Sequence, residues 1–132
     1  MSSPCVKICG ITRKEDARLA VSLGATYLGF IFYPNSPRAI SLEDFEKLKQ
    51  TLPDSFRVAV DVRPNIETIK KQIASGFDYF QVHFPEIHDS AYLSVLSETV
   101  GRDRLWLAPK LSPGMLFPES LFQYADTFLI DT

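Results

Sequence analysis

Short apolar runs alternate along the chain with stretches whose apolar positions recur every third or fourth residue, and turn residues separate the two kinds. This alternation is the mark of strand-helix units feeding a parallel sheet. It predicts six strands and five helices. Residues 5–9 read as the first strand. Thr12-Arg13-Lys14-Glu15 then has the form of a capping box, a hydroxyl and a carboxylate placed to satisfy the unpaired amides of a helix start. Ala17, Ala20 and Val21 give that helix its inner face, and Gly24 stops it. Residues 27–32 form the second strand. Ser41 with Asp44 opens a helix over 42–52, and the largely apolar run 56–62 predicts a third strand covered on both faces. Asn65 caps a third helix, which Gly76 ends. Residues 77–83, 104–108 and 127–131 supply strands four to six. A helix over 89–100 stops at Gly101, and a short one over 118–124 precedes the last strand.

Two architectures are built from such units, an open doubly wound sheet and a closed (β/α) barrel. The turn after strand one, Cys9-Gly10-Ile11-Thr12, is not the G-x-G-x-x-G fingerprint of a dinucleotide site, which weakens the open-sheet reading. The strand ends favour the barrel. Cys9, Arg38 just after strand two, Asp61 with Arg63, His83, Lys110 and Asp131 all fall where a barrel gathers its substrate chemistry. With 45% hydrophobic and 23% charged residues, the 132-residue chain fits one folded domain, 1–132, with an ordinary core. Its net charge of -2 is spread over both signs without a Lys/Arg run, so nucleic acid is not an expected partner. No apolar segment approaches the ~18 to 20 residues of a membrane span, and Met1-Ser2-Ser3-Pro4 leads straight into a strand instead of a signal peptide. A cytoplasmic protein is therefore expected. Cys5 and Cys9 share a strand face but sit too far apart for an easy disulfide and read as reduced thiols. His83 and His88 with Cys9 form no recognisable metal spacing, so no metal or other cofactor is assigned.

Val6-Lys7-Ile8-Cys9-Gly10-Ile11-Thr12, Glu15-Asp16-Ala17, Gly24-Ala25, Gly29-Phe30-Ile31-Phe32 and Ser36-Pro37-Arg38 follow one another in an order and spacing that resembles the phosphoribosylanthranilate isomerase family. These are barrel enzymes of tryptophan biosynthesis. The match is dense over the first third of the chain and recurs at Val58-Ala59-Val60, Gln81-Val82-His83 and Leu129-Ile130-Asp131-Thr132. The resemblance implies an α/β fold, a (β/α)8 TIM barrel. It also implies an Amadori rearrangement of an N-linked phosphoribosyl aminoaldose to a 1-amino-1-deoxyketose phosphate. An acid protonates the furanose oxygen so that the ring opens to a Schiff base. A base then removes the C2 proton to give an enolamine, which tautomerises to the ketone.

By the same resemblance Cys9 aligns with the general base and Asp131 with the general acid, while Arg38 matches the arginine that orients the anthranilate. Lys7 and His83 join Arg38 as candidate substrate-binding residues. The base requires a thiolate and the acid a retained proton. A cation such as Lys7 or Arg38 beside Cys9 would favour the first, and burial of Asp131 the second. Residue type alone leaves plainer readings open. A cysteine ending a buried strand can simply be packing, Asp131 a solvated end carboxylate, Arg38 a loop charge, and His83 a hydrogen-bonded strand-end histidine.

The chain departs from the family pattern in places. Phe84-Pro85 stands where glycine usually follows the strand-four histidine, and a bulky side chain with a fixed torsion narrows the mouth there. Asp61-Val62-Arg63 and Ala108-Pro109-Lys110 also differ from the usual strand ends. A complete barrel has about 250 residues and eight strands, with phosphate held after strands seven and eight. The sequence thus predicts a portion of a longer enzyme, about six β/α units without the closing part. The expected partners are a small phosphosugar substrate and either a second copy in a homodimer or the missing barrel segment. A non-catalytic binding protein descended from the enzyme is the competing reading.

Overall fold

The structure is a computed structural model that describes residues 3–85 and 89–130. The chain is α/β and divides into two compact units, residues 1–60 and 61–132.

In the first unit, β1 (Lys7–Cys9) runs parallel to β2 (Tyr27–Ile31), and β2 runs parallel to residues 56–60 of β3 (Phe56–Val62). Helices α1 (Lys14–Ser22) and α2 (Leu42–Lys49) are the crossovers. The core is built where β2 meets α2. Leu28, Phe30, Phe45 and Val58 are fully buried, and the Phe30 and Phe45 rings meet edge to face at 5.0 Å. Each such side chain contributes about 1.5–3 kcal/mol of burial. Two carbonyls bracket the β1–β2 ladder. Val6 O accepts from the amides of Thr26 and Tyr27, and Gly29 O accepts from those of Gly10 and Ile11. Strand one is accordingly shorter than predicted, and Cys5 lies outside it, exposed.

The second unit contains the last residues of β3, then α3 (Ile66–Ala74), β4 (Tyr79–Phe84), α4 (Ser90–Val100), β5 (Leu105–Pro109), a 3-10 turn (Glu119–Gln123) and β6 (Thr127–Phe128). β4 pairs parallel with β5, and β5 with β6. Ile69, Phe77, Phe80, Leu93, Leu96, Leu105, Leu107 and Leu121 are buried between these strands and helices. The two predicted caps at Ser41 and Asn65 form, and Asp89, read as the first residue of its helix, acts as a third. The Ser41, Asn65 and Asp89 side chains accept from the amides of Asp44, Thr68 and Ala91 respectively.

The capping box at Thr12 does not form. The cap position falls to Arg13, extended at φ -134 and ψ 146, and its side chain turns instead to Asp16 at 3.0 Å. Strand four starts later than predicted because the Phe77 carbonyl is held by the Arg104 guanidinium at 2.6 Å. It gains Phe84 because a residue before proline is driven to extended torsions. Pro109 joins β5 at no cost to the ladder. Lys110 N donates to Phe84 O and Leu107 O accepts from Leu129 N, so position 109 faces the β6 side, and β6 ends at Phe128. Asp131 and His88 lie outside the described residues. Among the described residues, no helix is long and apolar enough to cross a membrane.

Candidate active site

Alternation along β1 puts Lys7 and Cys9 on one face and Ile8 on the other. Both Lys7 and Cys9 are half-buried, and the Lys7 ammonium hydrogen-bonds the Cys9 sulfur. Burial pulls the Lys7 ammonium below the ordinary lysine range, and the contact with Cys9 works in the opposite direction. Gly10 then turns the chain at φ 85, a conformation that disfavours any side chain.

Arg38 reaches the same strand end from the loop after β2. That loop is pinned by Ala39, which bridges back to Ile31, and by the Arg38 amide on Ser36 Oγ at 3.3 Å. Its guanidinium Nη1 donates to Cys9 O at 2.9 Å. The approach is possible only because residue 10 is glycine. A Cβ there would lie 2.6 Å from Nη1 and 2.8 Å from Cδ and Cζ of Arg38. Three of the residues singled out in the sequence, Lys7, Cys9 and Arg38, are therefore brought together in the first unit. A cavity of about 470 Å³ borders this strand on its other side, with an apolar lining that includes Val6, Ile8, Leu19 and Leu23 and a rim that includes Cys9.

The polar strand ends of the second unit are used differently. Asp61, expected at the barrel mouth, is buried and turned toward α3. Its carboxylate accepts from the Val62 amide at 2.8 Å and from Gln72 Nε2 at 3.2 Å. Burial pushes the Asp61 carboxyl above the usual range, opposed by these two donors. Alternation along β3 gives the physical reason, since Val60 and Val62 take the opposite face. Arg63, at φ 40, stacks on the Tyr92 ring at 4.5 Å and pairs with Asp89 at 3.6 Å. His83 is half-buried, 2.7 Å from the Gln81 amide nitrogen. With Phe84, Pro85, Pro109 and Lys110 it lines a cavity of about 420 Å³. Among the described residues, no group of three or more His, Cys, Asp or Glu side chains is placed to hold a metal ion.

One position beside this group stood in the sequence only as part of a motif. Gly29 is opposite Cys9 in the ladder, and a Cβ there would lie 3.1 Å from Cys9 Sγ and 3.1 Å from Lys7 Cε. A glycine inside a strand is the signal that marks such close approaches.

The model of the family described as N-(5'phosphoribosyl)anthranilate (PRA) isomerase matches residues 6–132. The chain is 33% identical over 103 residues to the N-(5'-phosphoribosyl)anthranilate isomerase of Zymomonas mobilis, covering 77% of this chain and 48% of that protein. Its structure is similar to mutually generated monomers of the dimeric phosphoribosylanthranilate isomerase of Thermotoga maritima. There the identity is 29% and the TM-score 0.58, over 82% of this chain and 65% of the other. It is also similar to a phosphoribosylanthranilate isomerase in complex with reduced 1-(o-carboxyphenylamino)-1-deoxyribulose 5-phosphate, at 27% identity and a TM-score of 0.58, over 84% and 78% of the two chains. The chain spans about half the length of the curated relatives it matches. These likenesses place its parallel strand-helix repeat in the (β/α)8 TIM-barrel class.

Proposed function

The chain belongs to the N-(5'-phosphoribosyl)anthranilate isomerase family, and from that premise we propose that its protein catalyses the Amadori rearrangement of N-(5'-phosphoribosyl)anthranilate in tryptophan biosynthesis. The observation that carries this reading is the grouping at the end of β1 of a thiol, an ammonium on its sulfur and a guanidinium on its carbonyl. Cys9 is the base that takes the C2 proton from the ring-opened Schiff base. The proton passes to sulfur, and the C–H electrons form the enolamine double bond. Asp131 is the acid that gives its proton to the furanose oxygen as the ring C–O bond breaks, a role that rests on the Leu129-Ile130-Asp131-Thr132 match alone. The guanidinium edge of Arg38 left over from the Cys9 carbonyl suits a planar carboxylate such as that of anthranilate. His83, at the rim of the second cavity, is assigned to substrate binding.

In this reading residues 1–132 form one partial barrel domain, the protein is cytoplasmic, and the dimeric Thermotoga relative supports a homodimer. A second reading is a non-catalytic binding protein of the same descent, favoured by Phe84, Pro85 and Pro109 lining the second cavity where the family pattern has smaller or different residues. One experiment separates the two. The 132-residue chain is given N-(5'-phosphoribosyl)anthranilate and the ketose product is quantified, alongside calorimetric titration with reduced 1-(o-carboxyphenylamino)-1-deoxyribulose 5-phosphate. Conversion establishes the isomerase. Binding without conversion, even when the closing barrel segment is supplied, establishes the second reading.

A further inference from the structure

We propose that Lys7 is a positioning residue that pairs with the Cys9 sulfur and directs it, and that Gly29 is the residue whose missing side chain lets the two meet. The base role served by this arrangement rests on the isomerase reading, but the pairing itself does not.

Three observations converge on one point of the β1–β2 ladder. Lys7 and Cys9 are two residues apart on a strand, so both side chains leave the same face, and the ammonium reaches the sulfur. Gly29 is the direct ladder partner of Cys9, and a Cβ on it would press on Sγ and on the Lys7 stem at once, each at 3.1 Å. The site is also half-buried, where a charge pair attracts more strongly than in water.

The arrangement is costly unless it serves an anion. Glycine within a strand forgoes packing and carries extra chain entropy. A lysine drawn out of water loses hydration that only an opposite charge restores. A compact ammonium is also better suited than a planar guanidinium to a single sulfur atom.

Two other charged groups near Cys9 in the first unit are engaged elsewhere. Arg38 binds the Cys9 carbonyl oxygen, and Asp16 of α1, on the same cavity rim as Cys9, pairs with Arg13 at 3.0 Å. Lys7 is therefore the cation assigned to the sulfur.

The test needs no turnover. In a Cys5→Ser background Cys9 is the sole thiol of the chain, and its alkylation by iodoacetamide is followed from about pH 6 to 10. Lys7→Met is expected to slow the reaction about tenfold at neutral pH and to converge with the parent at alkaline pH. Lys7→Arg restores most of the rate, and Gly29→Ala falls between the parent and Lys7→Met. Coincident pH profiles for the parent and Lys7→Met overturn the proposal. If the substituted chains do not fold, carbon NMR of the unsubstituted chain decides. Lys7 Cε and Cys9 Cβ are expected to sense each other's titration as two-step curves, and independent single-step curves overturn the pairing. Turnover without a Lys7 effect would defeat this inference and leave the isomerase reading standing. A Lys7 effect without turnover, with the closing barrel segment supplied, would do the reverse.

Discussion

The ends of β1 and β2 and the ends of β3 to β5 look alike in the sequence, since both end in polar residues, yet among the described residues the first set brings a thiol, an ammonium and a guanidinium to one strand end and the second does not. In the first unit Lys7, Cys9 and Arg38 converge because glycines at 10 and 29 leave the volume they need. In the second unit Asp61 is bonded to an α3 amide, Arg63 lies on Tyr92, and His83 sits beside Gln81. A polar strand end is therefore a weak sign of chemistry by itself. A polar strand end beside a residue with no side chain is a stronger one, because the empty volume must be justified by what fills it.

The sharpest way to break that contrast is to fill the volume. Gly10→Ala puts a Cβ into the Arg38 guanidinium and forces an alanine to φ 85. It should cost about 1–2 kcal/mol of stability by urea unfolding. The same substitution should lower kcat/KM by about a hundredfold, as a displaced positioning group does. An unchanged kcat/KM would mean that Arg38 has no part in the reaction.

Asp61 tests the opposite claim, that this polar strand end of the second unit serves the fold. Its folded-state carboxyl is raised by burial, so its contribution to stability is greatest at low pH and is lost as pH rises through the folded value. Asn mimics the protonated form at every pH. Asp61→Asn is expected to be about 1 kcal/mol more stable than the parent at neutral pH, with the gain shrinking toward acid. Urea titrations at pH 5 and pH 8 would reverse this if Asp61 were needed as an anion.

The smallest expected effect is at Tyr92. Its hydroxyl donates to Pro64 O at 2.7 Å, and burial pushes its ionisation up to about 12. Tyr92→Phe should cost about 0.5–1.5 kcal/mol with little change in turnover. A large loss of turnover instead would bring this loop into the chemistry.

Much of the fold could be read in the sequence because local rules and tertiary structure agree. Residues 56–62 form β3 with the predicted bounds, and the helix caps at Ser41 and Asn65 follow from side chains that satisfy nearby amides. The misses have tertiary causes. The Thr12 box yields to Arg13, whose guanidinium gains a bidentate contact with Asp16. The start of β4 is set by Arg104, 27 residues away from Phe77. Cys9 and Arg38 were visible as motif residues, but their meeting depends on a turn at Gly10 and a loop tied at Ala39. The orientation of Asp61 depends on which face of β3 meets α3, and the apolar centre Val58-Ala59-Val60, which fills both faces, does not say which one that is.

The central claim is that the β1 end is the reacting centre with Cys9 as its base. The measurement that tests it most directly is kcat/KM for N-(5'-phosphoribosyl)anthranilate with the unsubstituted chain and with Cys9→Ala. A general base contributes about 10²- to 10⁴-fold, so the substitution should lower kcat/KM by at least about a hundredfold while the thermal unfolding midpoint moves little. Equal kcat/KM values in the two proteins would remove Cys9 from the reaction and contradict the account.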